Sequence, residues 1–221
     1  MFSKLLGSWV PRAVIEEVKQ LLPDKPKYLD LGCGDGDLTS KIAEIIGASQ
    51  IYGIDNDEKA LLKASKRGIA TFKCDLDKQP LPFSDDNFDL ITAFEVIEHL
   101  ANPRNMLRES LRVLKSRGLL IIETPNAMGC ASRFIADQLK LMVTISESTS
   151  LKDLLADARE ARGFNPQSLR SELINIGFRV LKIYGVPHIP QGLQSTLVVL
   201  EEIREYEIST APHIVAIAEK P

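Results

Sequence analysis

Cysteine is scarce in this chain. Only Cys33, Cys74 and Cys130 occur, and no two of them form a C-x-x-C pair. That excludes a disulfide scaffold and a zinc knuckle, and it suits a reducing, cytoplasmic setting. No run of about 18 apolar residues is present, so no membrane span is expected. The opening stretch MFSKLLGSWVPRAVIEEVKQ lacks the long apolar centre of a secretory signal. An excess of positive charge is missing too: 27 Lys+Arg against 30 Asp+Glu leave a net charge of −3, which disfavours a nucleic-acid partner. No internal repeat and no low-complexity stretch occurs.

What remains is ordinary globular material. The 221 residues are 44% hydrophobic and 26% charged, enough to bury a core as a single domain over residues 1–221. Short apolar strands alternate with amphipathic helices. A helix is expected from Pro11 to about Leu22, then a strand Tyr28–Leu31, a helix stopped at Gly47, a strand Ile51–Ile54, a helix Asp57–Arg67 and a strand Ile69–Lys73. Next come a strand Phe88–Phe94, a helix Pro103–Lys115 carrying Leu107, Leu111 and Leu114 on one face, and a strand Leu119–Glu123. Asn165 and Pro166 start a further helix that ends at Gly177. A strand Phe178–Tyr184, a helix over Leu193–Ile203 and a strand Ile214–Ala218 complete the chain. This β-α-β rhythm implies an α/β fold, with a mostly parallel sheet and helices on both faces. Residues 127–162 break the rhythm and read as a helical insertion after the fifth strand. The ligand side lies there, so the insertion is expected to serve as a substrate lid.

The most informative stretch is Leu29-Asp30-Leu31-Gly32-Cys33-Gly34-Asp35-Gly36. Its glycines let the backbone turn tightly at a helix N-terminus and approach a ligand. A dinucleotide fingerprint, G-x-G-x-x-G, would need glycine where Asp37 stands. Acidic groups at such a turn favour a cation over a pyrophosphate. A second carboxylate, Asp55, ends the next strand near the ~20-residue step at which an acid meets ribose hydroxyls. Asn56 and Asp57 beside it can serve simply as helix caps; Asp55 is not explained that way.

With these residues the chain resembles the class I S-adenosylmethionine-dependent methyltransferases, small-molecule type, and is similar to quinone-ring O-methyltransferases. Cys74-Asp75-Leu76, Leu81-Pro82-Phe83 with Asn87-Phe88-Asp89-Leu90-Ile91, Arg112-Val113-Leu114-Lys115 with Gly118-Leu119-Leu120, Glu123-Thr124-Pro125-Asn126 and Gly177-Phe178 follow in the family's order. Ser116-Arg117 departs from the more usual Pro-Gly before Gly118. The resemblance implies a Rossmann-like seven-stranded sheet, S-adenosyl-L-methionine as cofactor and a small-molecule acceptor with an oxygen nucleophile. RNA or protein methylation, or cofactor binding without turnover, are the alternatives. It implies cofactor contacts from Asp30, Gly32, Cys33, Gly34, Asp55, Asn56, Asp75, Leu76 and Phe94. Asp30 would sit near the ammonium, Asp55 at the ribose and Asp75 at the adenine.

Glu95-Val96-Ile97-Glu98-His99-Leu100 follows the fourth strand. If helical, it places Glu95, Glu98 and His99 on one face. His99 and Glu95 are the candidate catalytic residues, because imidazole changes charge near neutral pH and can take a proton from a hydroxyl. Two carboxylates and an imidazole could also hold a metal, but Arg162 stands where metal-binding relatives carry a further histidine, so no metal is expected. Arg104, Arg108 and Arg112 make a cationic stripe that reads as a solvated helix face or a phosphate-binding one. His188 reads as a structural loop residue, and His213 as an exposed residue opening the last strand.

Overall fold

The computed structural model describes residues 12–129, 163–186 and 211–221. Seven strands form one sheet: β1 (Lys27–Leu31), β2 (Gln50–Asp55), β3 (Ala70–Lys73), β4 (Phe88–Phe94), β5 (Leu114–Pro125), β6 (Arg179–Val186) and β7 (His213–Glu219). Their order is β3-β2-β1-β4-β5-β7-β6. The first five strands run parallel, and β7 inserts antiparallel between β5 and β6. The expected seven-stranded, mostly parallel sheet is therefore the observed one. Among the described residues no helix is long and apolar enough to cross a membrane.

Five helices belong to the described residues: α1 (Arg12–Lys19), α2 (Asp37–Ile46), α3 (Glu58–Ser65), α4 (Pro103–Val113) and α5 (Pro166–Ile176). Strand alternation sends successive side chains to opposite faces of the sheet. Leu29 and Leu31 pack with Met106 and Leu107 of α4 and with Leu169 and Leu173 of α5. Tyr28 packs with Val14, Ile15 and Val18 of α1 and with Ile42 and Ile46 of α2. Helices thus cover both faces, and α3 closes a smaller cluster of Leu61 and Ala64 with Cys33 and Ile69.

Several local signals act as read. Gly47 and Gly177 adopt left-handed conformations that end α2 and α5. Asn165 and Ser168 form a reciprocal capping box at the start of α5. One boundary differs from expectation. The helix after Pro103 stops at Val113, and Leu114–Arg117 belongs to β5. Leu114 continues the leucine spacing of α4, but it pairs with Phe88 of β4 and is fully buried there. Pairing against a core strand overrides helical periodicity at that point. Arg117 then takes φ +63°, a conformation that suits the glycine the sequence lacks there.

The expected start at Pro11, the body of the insertion to Arg162, Cys130, His188 and the helix over Leu193–Ile203 lie outside the described residues. The two flanks of that insertion meet: the Ala127 amide donates to the Phe164 carbonyl at 3.0 Å. Asn126, fully buried, donates its side-chain amide to the Ala211 carbonyl at 2.7 Å and its backbone amide to Pro212 at 2.8 Å. The end of β5 and the start of β7 are held together there.

Candidate active site

The carboxyl ends of the parallel strands gather the candidate residues at one edge of the sheet, where open α/β sheets bind their ligands. At the end of β1, the amides of Gly32 and Cys33 donate to the Ile54 carbonyl at 2.8 and 2.9 Å, folding the glycine turn over β2. Gly32 and Gly34 both have positive φ. A β-carbon on Gly32 would strike Val96, whereas one on Gly34 would meet no protein atom within 4 Å. Gly34 therefore borders open space, and its amide donates to Asp55 Oδ2 at 2.8 Å. The other oxygen of Asp55 accepts the Asp57 amide at 2.9 Å. Each carboxylate oxygen keeps a further lone-pair site for a diol.

Asp75 follows β3 and is partly exposed. Its carboxylate accepts from the Asp77 amide at 3.0 Å and from Lys78 at 3.0 Å, and the Lys78 ammonium holds it below the usual carboxylate range. Asn56 is exposed beside Asp55. Cys33, Leu76 and Phe94 are buried in the packing around this edge. Burial, reinforced by Asp30 and Asp55, pushes the Cys33 thiol up to about 12.

The structure places Asp30 differently from the sequence expectation. It is only 3% exposed, and its two oxygens accept the hydroxyls of Thr39 of α2 and Thr92 of β4 at 2.5 and 2.6 Å. Because Thr92 gives its proton to Asp30, Tyr28 donates to Thr92, at 2.7 Å. Asp30 thus ties β1, α2 and β4 together under the glycine turn. Burial raises its carboxyl to about 6, with the Thr39 and Thr92 hydrogen bonds working against that rise.

Glu95 follows directly on β4. The expected shared face of Glu95, Glu98 and His99 forms in part: the Glu95 and Glu98 side chains meet, while the His99 ring turns to solvent. Only Ile97–His99 make a single 3₁₀ turn, and Glu95 lies before it at φ +54°. Three residues per turn rotate His99 away from the line of Glu95 and Glu98, and the left-handed residue re-aims the Glu95 side chain. Glu98 accepts the Thr124 hydroxyl at 3.0 Å. The His99 ring is 75% exposed, with Nε2 4.0 Å from Glu98 Oε1. Glu95 turns instead to His213, whose Nδ1 lies 3.0 Å from Glu95 Oε1 and 2.6 Å from Glu123 Oε1.

His213 is therefore no exposed strand opener. Its side chain is 13% exposed, and its partner Glu123 is 0% exposed. Desolvation pushes the Glu123 carboxyl up, with the charge on Glu95 adding to the rise. Desolvation opposes charge on His213, but the two carboxylates outweigh it and raise the imidazole. Desolvation also raises Glu98, with Glu95 adding to it. Glu123 was legible as a charged residue ending the apolar run Leu119–Ile122. Its pairing with His213 was not, since it depends on the antiparallel register that sets Pro125 opposite His213.

Two of the three arginines of the stripe are engaged within the fold, and Arg108 is exposed. Arg104 pairs with Glu172 of α5 at 2.5 Å. Arg112 binds Glu109, Asp85 and the carbonyls of Leu81 and Phe83.

Residues 23–180 match a family described as "Methyltransferase domain". A "Probable S-adenosylmethionine-dependent methyltransferase" of Mycobacterium tuberculosis is 31% identical over 165 residues, 74% of this chain and 52% of that protein. A "Ubiquinone biosynthesis O-methyltransferase" of Glaesserella parasuis is 35% identical over 109 residues, 45% of each chain. This chain spans about half the length of these curated relatives. Among solved structures, an S-adenosylmethionine-dependent methyltransferase of Thermotoga maritima superposes with TM-score 0.63 at 20% identity, covering 94% of this chain and 87% of that one. One from Mesorhizobium loti gives 0.63 at 19% identity, covering 92% and 95%. At these identities the solved structures speak for the fold.

Proposed function

The chain belongs to the S-adenosylmethionine-dependent methyltransferase domain family, and on that premise we propose that it transfers a methyl group from S-adenosyl-L-methionine to a small-molecule acceptor, at an oxygen nucleophile. The observation that carries the reading is the pairing of Asp55 with the Gly34 amide beside the space that a side chain at Gly34 would fill. That cradle suits a ribose diol against an acid and a backbone that approaches closely. Asp75, one strand further out, suits the exocyclic amine of adenine. Gly32, Cys33, Asn56, Leu76 and Phe94 complete the surroundings, and Asp30 contributes from inside by fixing the turn.

S-adenosyl-L-methionine held there by Asp55, Asp75 and the Gly34 backbone would offer a sulfonium-activated methyl for in-line displacement, with S-adenosylhomocysteine leaving, and positioning would provide much of the rate. The chain's own task is to seat the acceptor and take up its proton. Glu95, at the end of β4, and His99, open to solvent on the following turn, are the residues we assign to that proton. Small-molecule chemistry is favoured by the net charge of −3 and by the engagement of Arg104 and Arg112 with acidic partners within the fold. An oxygen nucleophile is supported by the relative named for O-methylation in ubiquinone biosynthesis.

The test is a calorimetric titration of the full chain with S-adenosylhomocysteine and with NAD, followed by methyl-transfer assays on phenolic and aliphatic hydroxyl acceptors. Saturable binding of S-adenosylhomocysteine and not NAD is expected. Binding of NAD alone would overturn the reading.

A further inference from the structure

We propose that Glu95, Glu123 and His213 form a binding site for one divalent cation of the Mn²⁺ or Mg²⁺ type. This is not the set that the sequence spacing suggests, since His99 faces solvent and Glu98 is turned to Thr124. The three residues come from the end of β4, the end of β5 and the start of β7. Each offers one donor atom, and the three atoms lie within 4.8 Å of one another.

Three observations favour a cation over a plain ion pair. The first is charge. Glu95, Glu98 and Glu123 crowd one partly buried place, and a single imidazolium offsets only one of three carboxylates. Uncompensated buried charge is costly. A divalent cation with neutral imidazole leaves one charge unmatched rather than two.

The second is unmet hydrogen bonding. Among the described residues, Oε1 of Glu98 and Oε2 of Glu123 are buried side-chain oxygens without a hydrogen-bond partner, and Oε1 of Glu95 has the His213 ring 3.0 Å away. All belong to this one cluster, and Glu123 is wholly buried. Buried carboxylate oxygens are usually satisfied in folded proteins, so the unmet oxygen of wholly buried Glu123, with that of Glu98 beside it, marks room for a positive partner.

The third is geometry. Ligands at adjacent corners of an octahedron with ~2.1 Å bonds lie about 3 Å apart. His213 Nδ1 and Glu95 Oε1 are 3.0 Å apart, and Nδ1 to Glu123 Oε1, at 2.6 Å, needs to open by only a few tenths. Two carboxylates and one imidazole make an oxygen-rich set that suits Mn²⁺ or Mg²⁺ better than a thiophilic metal. Glu95 is held in place by a backbone conformation rare outside glycine, and its side chain is 35% exposed, which leaves one side of the cluster accessible. The part such an ion would play, binding an acceptor hydroxyl and lowering its pKa, rests on the methyltransferase reading; the binding itself does not.

The experiment is titration of the chelator-treated 221-residue chain with Mn²⁺, following the signal of free Mn²⁺ by electron paramagnetic resonance. S-adenosylhomocysteine is titrated calorimetrically in the same samples. One Mn²⁺ per chain is expected. Glu95→Gln and Glu123→Gln should each weaken it by at least the 10–100-fold typical of losing a supporting partner of a metal site. Cofactor-product affinity should be retained in both. Glu95 is partly exposed, so its variant decides the matter should Glu123→Gln fail to fold. No Mn²⁺ uptake at millimolar concentration, or uptake unchanged in Glu95→Gln, would overturn the site. If S-adenosylhomocysteine still binds in that case, the methyltransferase reading stands; Mn²⁺ uptake without it would sink that reading instead.

Discussion

The Gly34 amide points at Oδ2 of Asp55 across 2.8 Å, so the glycine turn after β1 and the acid that ends β2 act as one unit. The bond fixes the carboxylate without using up its acceptor sites. Asp55→Ala should therefore weaken S-adenosylhomocysteine binding by about 1.5–3 kcal/mol, the scale of hydrogen bonds to a charged group. Asp55→Asn should fall between the two, since it keeps an acceptor oxygen but loses the charge. Calorimetry on protein of unchanged melting behaviour reads this directly, and wild-type affinity in Asp55→Ala would remove Asp55 from the cofactor's ribose.

Asp30 is expected to make stability depend on pH. Burial pushes its carboxyl up to about 6 in the fold, above the ordinary aspartate value near 3.8. A raised carboxyl means that the folded state holds the proton more tightly than the unfolded chain. The stabilisation is complete below the unfolded value and is lost as pH rises through the folded one, a change on the order of 3 kcal/mol in all. Asp30→Asn removes this dependence. The stability of the variant relative to wild type should rise by on the order of 1 kcal/mol between pH 5 and pH 7 in urea unfolding. A pH-independent difference would mean that the Thr39 and Thr92 hydroxyls hold Asp30 ionised throughout.

Most elements were readable because each carries a local reason. Gly47 and Gly177 stop helices, Asn165 caps one, and Phe88–Phe94 is bounded by polar turns. The placement of Asp55 and Asp75 was readable for a related cause: Asp55 ends β2 and Asp75 comes just after β3, so strand ends position them. The failures are non-local. Leu114 fits the stripe of α4, and only its pairing with Phe88 makes it a strand residue. Glu95 and His213 are far apart in the chain and meet because β7 inserts antiparallel beside β5. No spacing in the sequence encodes that register, whereas the spacing of Glu95, Glu98 and His99 suggested a helical face that a 3₁₀ turn supplies for the two glutamates but not for His99.

Arg117 offers a stability test. It holds φ +63° while its amide donates to the Lys220 carbonyl at 2.8 Å. Left-handed backbone costs a non-glycine residue about 1–2 kcal/mol, and glycine gives back part of that in the flexibility of the unfolded chain. Arg117→Gly should stabilise the protein by about 0.5–1 kcal/mol. A lower urea midpoint would mean that the arginine side chain contributes more than the strain costs.

His99 poses the sharpest test of the proposed chemistry, because its exposure separates function from folding. With the ring 75% exposed, truncation leaves no cavity, and His99→Ala should change stability by no more than about 0.5 kcal/mol. It should also leave S-adenosylhomocysteine binding intact, since Asp55 and Asp75 lie on other strands. If His99 accepts the proton of an acceptor hydroxyl, kcat should fall by roughly 10²–10⁴-fold with little change in KM for the cofactor. Raising the pH should restore part of the rate, because a hydroxyl that is already ionised needs no base. Glu95→Gln distinguishes the neighbouring candidate. As a base it would show the same pH rescue, whereas as a cation ligand it would respond to added Mn²⁺ instead. The measurement is steady-state methyl transfer to a hydroxyl acceptor across pH 6 to 9, with and without a chelator. Full activity in His99→Ala would assign the proton to the Glu95 side of the site, and positioning of acceptor and methyl would then carry the remaining acceleration.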